Sequence, residues 1–122
     1  MDDSAFHIKL VKEKREGALR EFSAGAYSNT ADLALKAVEQ AIEAAAAKRD
    51  VHFHVRPRTA HVERREWVSR NIPRILEFLS IVWDAYGRLG YGGVDGERAR
   101  KAVEAMEDAL NEISEATGIK FV

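Results

Sequence analysis

Imidazole and guanidinium side chains are concentrated between residues 49 and 65. Histidine exchanges protons near neutral pH, and arginine binds phosphate oxygens through paired N–H donors. The segment therefore carries groups that can bind RNA or a nucleotide and that could, in principle, cleave RNA without a metal. Three of the four histidines and five arginines lie there: His52, His54 and His61, and Arg49, Arg56, Arg58, Arg64 and Arg65.

Cleavage would require a histidine that takes the 2'-hydroxyl proton and an arginine that stabilises the phosphorane. Four residues separate Arg49 from His54, and four separate Arg56 from His61. A solvated basic loop or a dimer contact is the competing interpretation of this segment. The candidate catalytic residues are His54, His61 and Arg56, and the candidate ligand- or RNA-binding residues are Arg49, His52, Arg58, Arg64 and Arg65.

A metal site is a further interpretation of the same histidines. His52 and His54 would share one face of an extended arm, which could begin such a site. A third ligand would have to come from His61 or Asp50, and the neighbouring arginines would repel a dication. We therefore expect no metal site and no cofactor.

Helical periodicity dominates the rest of the chain, which has two prolines and is rich in Ala, Glu, Lys and Arg. We predict a first helix behind the acidic start 2–4, which can cap free amides, an alanine-rich second helix opening at Thr30, and a fourth helix between Asp95 and Gly118. The third helix would begin after a helical lead-in, 59–69, that is broken near Pro73. The predicted fold is all-α: one domain over residues 1–122, an antiparallel up-and-down four-helix bundle with an extended His/Arg-rich insertion between helices two and three.

Several shorter segments carry predictions of their own. Residues 51–55 alternate apolar and polar side chains, which is typical of a half-buried strand. An extended arm or a loop is the alternative prediction for this segment. The glycines of residues 89–93 follow a helix and lack the lysine and serine of a phosphate loop, so they predict a chain reversal. Val62 and Trp67 should face the core. The apolar C-terminal residues should fold back on the bundle: Ile119, Phe121 and Val122.

Composition limits the function classes. The chain has 122 residues, with 19 basic and 20 acidic side chains and a net charge of -1, so any attraction to nucleic acid or membranes must be local. Cysteine is absent, which excludes disulfides, thiolate metal sites and a cysteine nucleophile. No apolar run is long enough to cross a membrane, and the acidic N-terminus is unlike a signal peptide. We expect a cytoplasmic protein.

Three segments are similar to those of a known family of small helical bundles. They are the end of helix one at Phe22–Tyr27, the alanine-rich stretch Leu33–Ile42, and Asp84–Tyr91 before a final Ala/Glu-rich helix, with a histidine-bearing link between the last two. Over residues 6–113 the chain resembles the HEPN family. The resemblance implies an up-and-down bundle that commonly dimerises. It also implies functions that range from RNA cleavage to partnering a nucleotidyltransferase in toxin–antitoxin or defence systems.

The nuclease motif of active HEPN proteins is missing from its usual place. Active members have an arginine, a polar residue and then a histidine near the start of the last helix. Arg88 lies in that region, but Gly93, Val94 and Asp95 stand where the histidine should follow. The resemblance therefore favours a non-catalytic member.

The leading hypothesis is a HEPN-like homodimer that binds RNA, a nucleotide or a nucleotidyltransferase partner through the His/Arg segment. One alternative is a metal-independent endoribonuclease that uses the same segment. The other is a structural homodimer in which residues 51–55 of two chains pair.

Overall fold

The chain folds into helices. The computed structural model describes residues 3–89 and 95–122, and in these ranges it has five α-helices, one 3-10 turn and no strand. An all-α protein is therefore confirmed, although there are five helices where four were predicted. They are α1 (Ser4–Ser23), α2 (Tyr27–Ala47), α3 (Ala60–Asn71), α4 (Leu76–Leu89) and α5 (Gly96–Thr117), and the 3-10 turn covers Pro73–Ile75.

The additional helix, α3, comes from the segment that was predicted to lead into the third helix. Proline cannot donate a backbone hydrogen bond, so Pro73 opens a separate turn and α3 ends before it. The N–H of Ile72 still donates to the carbonyl of Val68 at 2.8 Å. The Asn71 side chain donates to the carbonyl of Trp67 at 2.9 Å. These two bonds satisfy carbonyl groups that the helix end leaves unpaired.

α2 lies at the centre of the molecule, where it contacts each of the other four α-helices. Residues 41–47 are all buried, and five of these seven are alanines, whose small side chains allow neighbouring helices to approach closely. Glu43 is the exception, because it is a charged residue within this buried stretch. Burial of an unpaired charge is strongly unfavourable, so Glu43 must have polar partners.

The two ends of α5 follow the sequence prediction. The Asp95 carboxylate accepts a hydrogen bond from the backbone N–H of Arg98 at 3.1 Å, which caps the helix. Gly118 ends the helix with a positive φ of 78°, a conformation that glycine adopts without strain. Two of the three predicted C-terminal core residues are buried and the last is 82% exposed: Ile119, Phe121 and Val122.

Residues 48–59, which we call the arm, connect α2 to α3 without forming a strand. Of the alternating apolar residues, Phe53 is buried, but Val55 is 61% exposed. The backbone N–H groups of Phe53 and His54 donate to the carboxylate of Glu43 instead of to a neighbouring strand. The predicted reversal at residues 90–93 lies outside the described residues. No helix within 3–89 and 95–122 is long and apolar enough to cross a membrane.

Candidate functional site

The carboxylate of Glu43 joins the arm and α3 to α2. Its Oε1 accepts from the N–H groups of Phe53 and His54, both at 3.3 Å, and from His54 Nδ1 at 3.1 Å. Its Oε2 accepts from Arg64 Nε at 2.7 Å. We call Glu43, His54 and Arg64 the Glu43 cluster. Four donors to one buried carboxylate fix the path of the arm.

Two carboxylates on α2 contact Arg64, and their pKa values shift in opposite directions. Glu39 lies one turn before Glu43, and Arg64 Nη1 donates to its Oε2 at 3.2 Å. Burial raises the pKa of Glu39, and the positive charge of Arg64 offsets only part of this effect. Burial also acts to raise the pKa of Glu43, but hydrogen bonds from His54 and Arg64 outweigh it and lower that pKa below its ordinary value. The donors therefore hold Glu43 as a carboxylate.

Three histidines surround the carboxylate of Asp3, next to the Glu43 cluster. His7 Nε2 lies 3.3 Å from Asp3 Oδ2, His52 Nδ1 lies 3.4 Å from Oδ1, and His54 Nε2 lies 3.8 Å from Oδ2. The rings of His7 and His54 are 5.0 Å apart at their centroids. We call Asp3, His7, His52 and His54 the histidine cluster. Asp3 precedes α1 as predicted, but its side chain makes no hydrogen bond that caps the helix.

Each histidine of this cluster has its other ring nitrogen within hydrogen-bond distance of a side-chain oxygen. The distances are 2.6 Å, 3.0 Å and 3.1 Å, for His7 Nδ1 to Gln40 Oε1, His52 Nε2 to Asp50 Oδ1 and His54 Nδ1 to Glu43 Oε1. These bonds fix the orientation of the rings.

A second surface that includes a histidine lies between α3 and α4. We call it the α3–α4 groove; it is open to solvent and has a volume of about 600 Å³. The rings of His61 and Trp83 are 5.4 Å apart, and Arg65 Nη1 donates to Ser80 Oγ at 3.2 Å. Val62 also lines the groove and is 48% exposed, so the prediction that it faces the core is wrong. The reason is that α3 turns other residues inward, including Ala60 and Val68.

The predicted binding residues are distributed over several environments. Arg64 belongs to the Glu43 cluster, His52 belongs to the histidine cluster, and Arg65 lines the α3–α4 groove. Arg49 donates to Asn71 Oδ1 at 2.9 Å on the surface. Arg58 is exposed and makes no hydrogen bond or ion pair with the described part of the chain.

The three predicted catalytic side chains have different neighbours. His54 lies against His7 and Glu43, and His61 lies against Trp83. The guanidinium of Arg56 binds the carboxylate of Glu63, with Nη2 to Oε1 at 2.7 Å. Each of these side chains therefore lies beside an acid or a ring. Residues that transfer a proton and stabilise the transition state would instead have to face one shared substrate position.

Sequence reasoning missed Asp3, His7, Gln40 and Glu43 as members of these clusters. A signal existed for three of them. Asp3 and His7 are four residues apart, a spacing that places them on one face of a helix. Glu43 also carried a signal, because a charged residue inside an alanine-rich stretch is expected to need a buried partner. Nothing in the local pattern indicates that the arm returns to these residues.

Arg88, which the HEPN resemblance singled out, pairs with its own helix. Its Nε donates to Asp84 Oδ1 at 2.9 Å. Of the positions where a histidine would follow, 93 and 94 lie outside the described residues, and Asp95 caps α5. Comparison of the chain with protein-family models, curated proteins and solved structures gave no match.

Proposed function

We propose that this protein binds single-stranded RNA or a nucleotide in the α3–α4 groove and does not cleave it. The observation that carries the proposal is the position of Arg65, which lines the groove together with the indole of Trp83. Arg65 has no ion pair within residues 3–89 and 95–122, whereas Arg56 and Arg64 are both bound to carboxylates. The groove volume of about 600 Å³ is in the range of small-ligand sites.

The chemistry of the groove suits a phosphate next to a base. A guanidinium can donate two parallel hydrogen bonds to phosphate oxygens, and Arg65 uses one Nη for the neutral hydroxyl of Ser80. The half-buried indole of Trp83 and the exposed imidazole of His61 offer ring surface on which an unpaired base can stack. Bases in a duplex are already stacked, so the groove favours single strands.

The proposal also covers the arrangement of the helices that carry the groove. We infer that α1, α2, α4 and α5 form the up-and-down antiparallel bundle of a HEPN-like module, with the arm and α3 as its insertion. The packing of α2 against α1, α4 and α5 supports this arrangement. The separate surroundings of His54, His61 and Arg56 support binding in preference to cleavage.

The proposal is tested with a labelled single-stranded RNA oligonucleotide whose fluorescence anisotropy is followed at several salt concentrations. We expect the affinity of the unaltered protein to fall as salt rises, because phosphate contacts release counterions. Arg65→Ala should weaken binding about tenfold and reduce the salt slope by about 0.7, the loss of one contact to a single strand. Arg74→Ala is the matched control, since Arg74 is 79% exposed and faces Glu112 on α5.

Three outcomes would contradict the proposal. They are binding that does not depend on salt, equal effects of Arg65→Ala and Arg74→Ala, and shortening of the RNA by the purified protein. Competition by a mononucleotide would distinguish the two proposed ligands. If the groove binds a single nucleotide, an excess of mononucleotide displaces the oligonucleotide; if the groove requires a longer RNA strand, it does not.

A further inference from the structure

We propose that the histidine cluster binds a first-row divalent transition-metal ion of the Zn²⁺ type, with Asp3, His52 and His54 as ligands and His7 as the fourth. This site is distinct from the α3–α4 groove and does not depend on RNA binding. It also departs from our sequence-based expectation of no metal, because that expectation lacked Asp3 and His7.

The orientation of the three imidazoles carries the inference. A carboxylate or amide oxygen can only accept a hydrogen bond, so the ring nitrogen that contacts Gln40, Asp50 or Glu43 must carry the proton. In a neutral imidazole the opposite nitrogen then has a lone pair. All three opposite nitrogens face the Asp3 carboxylate, which also offers lone pairs. A metal ion at this point removes the repulsion between these lone pairs, as a second proton on each ring would, and the test below distinguishes the two.

The same hydrogen bonds form the outer shell of a metal site. Histidines that bind metals almost always donate their far ring nitrogen to a carboxylate, a carbonyl or water, which fixes the ring and raises its basicity. His52 and His54 do so to Asp50 and Glu43, and His7 does so to the amide oxygen of Gln40. The outer shell is therefore already in place around each imidazole.

The distances fit a small ion. Zn²⁺ binds histidine nitrogens at about 2.0–2.1 Å in tetrahedral geometry, which places neighbouring ligand atoms about 3.3–3.4 Å apart. From Asp3 Oδ2, His7 Nε2 is 3.3 Å away and His54 Nε2 is 3.8 Å away, whereas His52 Nδ1 lies 3.4 Å from the other oxygen, Oδ1. One ligand atom from each of Asp3, His52 and His54 lies within 4.8 Å of the other two.

A second, independent observation is the state of His7, which is 1% exposed. Its Nε2 and the Oδ1 of Asp3 are buried and have no hydrogen-bond partner among the residues that the structure describes. Buried polar atoms are rarely left unpaired, and an unpaired one needs an explanation. A metal ion would satisfy both atoms.

The arginines of the arm and α3 do not oppose such an ion as strongly as the sequence suggests. Arg56 is paired with Glu63, and Arg64 with Glu43 and Glu39, so carboxylates offset their charge. Three nitrogens and one carboxylate form a ligand set for Zn²⁺ and its first-row neighbours, whereas Mg²⁺ and Ca²⁺ prefer oxygen alone.

The test uses the full chain without a polyhistidine tag, freed of metal with a chelator. Zn²⁺ is added in a calorimeter, and Co²⁺ is added while visible absorption is recorded. We expect one ion per chain, a Co²⁺ spectrum of tetrahedral type and no binding of Mg²⁺ under the same conditions. His52→Ala and Asp3→Asn should each weaken Zn²⁺ binding by at least the tenfold to hundredfold that loss of an outer-shell partner costs.

His61→Ala is the matched control, because His61 lies in the groove and outside the cluster. Circular dichroism of each metal-free variant will establish that it is folded; His52 and Asp3 are partly exposed, so their substitution should preserve the fold. The proposal is overturned if the unaltered protein shows no saturable Zn²⁺ binding, or if His61→Ala weakens binding as much as His52→Ala. It is also overturned if nuclear magnetic resonance finds both ring nitrogens of His7 protonated with Zn²⁺ in excess, since a proton would then join His7 to Asp3.

Discussion

Arg64 and Arg65 are adjacent in the sequence and belong to two different regions of the molecule. Arg64 is 12% exposed at its side chain and donates to Glu43 and Glu39 in the Glu43 cluster. Arg65 lines the α3–α4 groove and bonds only to the neutral hydroxyl of Ser80 among the described residues. Arginine therefore stabilises the fold at position 64 and is available to an anionic ligand at position 65.

His54 and His61 differ in the same way. His54 has both ring nitrogens near carboxylates, whereas His61 lies against an aromatic ring at a solvent-exposed groove. Residue type thus identifies the groups that can do chemistry, but the carboxylates of Asp3 and of α2 determine which of them are already engaged.

The largest effect should follow removal of the central charge of the Glu43 cluster. Glu43→Gln would leave Arg64 without its closest anion and would place an amide N–H₂ against other donors. Breaking one side of a buried pair costs about 3–5 kcal/mol, and we expect a loss of this size in the free energy of unfolding, measured by chemical denaturation. Glu39→Gln is the matched control and should change stability by about 1 kcal/mol or less. Equal losses in the two variants would contradict a special role for Glu43.

Substitution of Arg64 and of Arg65 should affect the free energy of unfolding to different extents, because the two side chains belong to different regions. Arg64→Ala should lower the free energy of unfolding by about 2–3 kcal/mol, because hydrogen bonds to a charged buried group are lost. Arg65→Ala should change it by about 0.5 kcal/mol or less, as is usual for surface substitutions. Thermal and denaturant unfolding of both variants provide the measurement. A large loss of stability in Arg65→Ala would mean that the groove is held together by this side chain.

Much of the fold could be predicted from sequence, because helix periodicity and end signals are local. The cap at Asp95 and the helix end at Gly118 depend on residues within a few positions, and both are confirmed. The division into α3 and α4 was predicted only as a break. Pro73 marked the position, but whether the chain continues or starts a new helix depends on the packing around Ile72 and Ile75, which are both buried.

The clusters could be predicted only in part, because their partners are distant in sequence. The concentration of His52 and His54 was evident, but His7 comes from α1 and Glu43 from α2. The alternation in the arm favoured a strand, and the side chain of Glu43 instead accepts the backbone hydrogen bonds that a strand would make. A side chain that substitutes for a neighbouring strand leaves no periodic signal in the sequence.

The smallest effect concerns the pH dependence of stability at Glu39. Burial is the main cause that raises its pKa above the ordinary value of 4.5, so the folded state binds this proton more tightly than the unfolded state. The stability that the protonated group contributes is complete below pH 4.5 and decreases as pH rises through the folded pKa. Glu39→Gln removes this decrease, so its stability relative to the unaltered protein should increase by about 1 kcal/mol or less over that window and stay constant above it.

Denaturant unfolding at a series of pH values measures this change. Glu63→Gln is a control of opposite sign, because the hydrogen bond from Arg56 lowers the pKa of Glu63, with the Thr59 hydroxyl adding to the shift. The stability from Glu63 is present above its ordinary pKa and is lost as pH falls, so removing this carboxyl should matter less in acid. Parallel pH profiles for Glu39→Gln and the unaltered protein would mean that Arg64 fully compensates both carboxylates, and the contrast between Glu39 and Glu43 would then be lost.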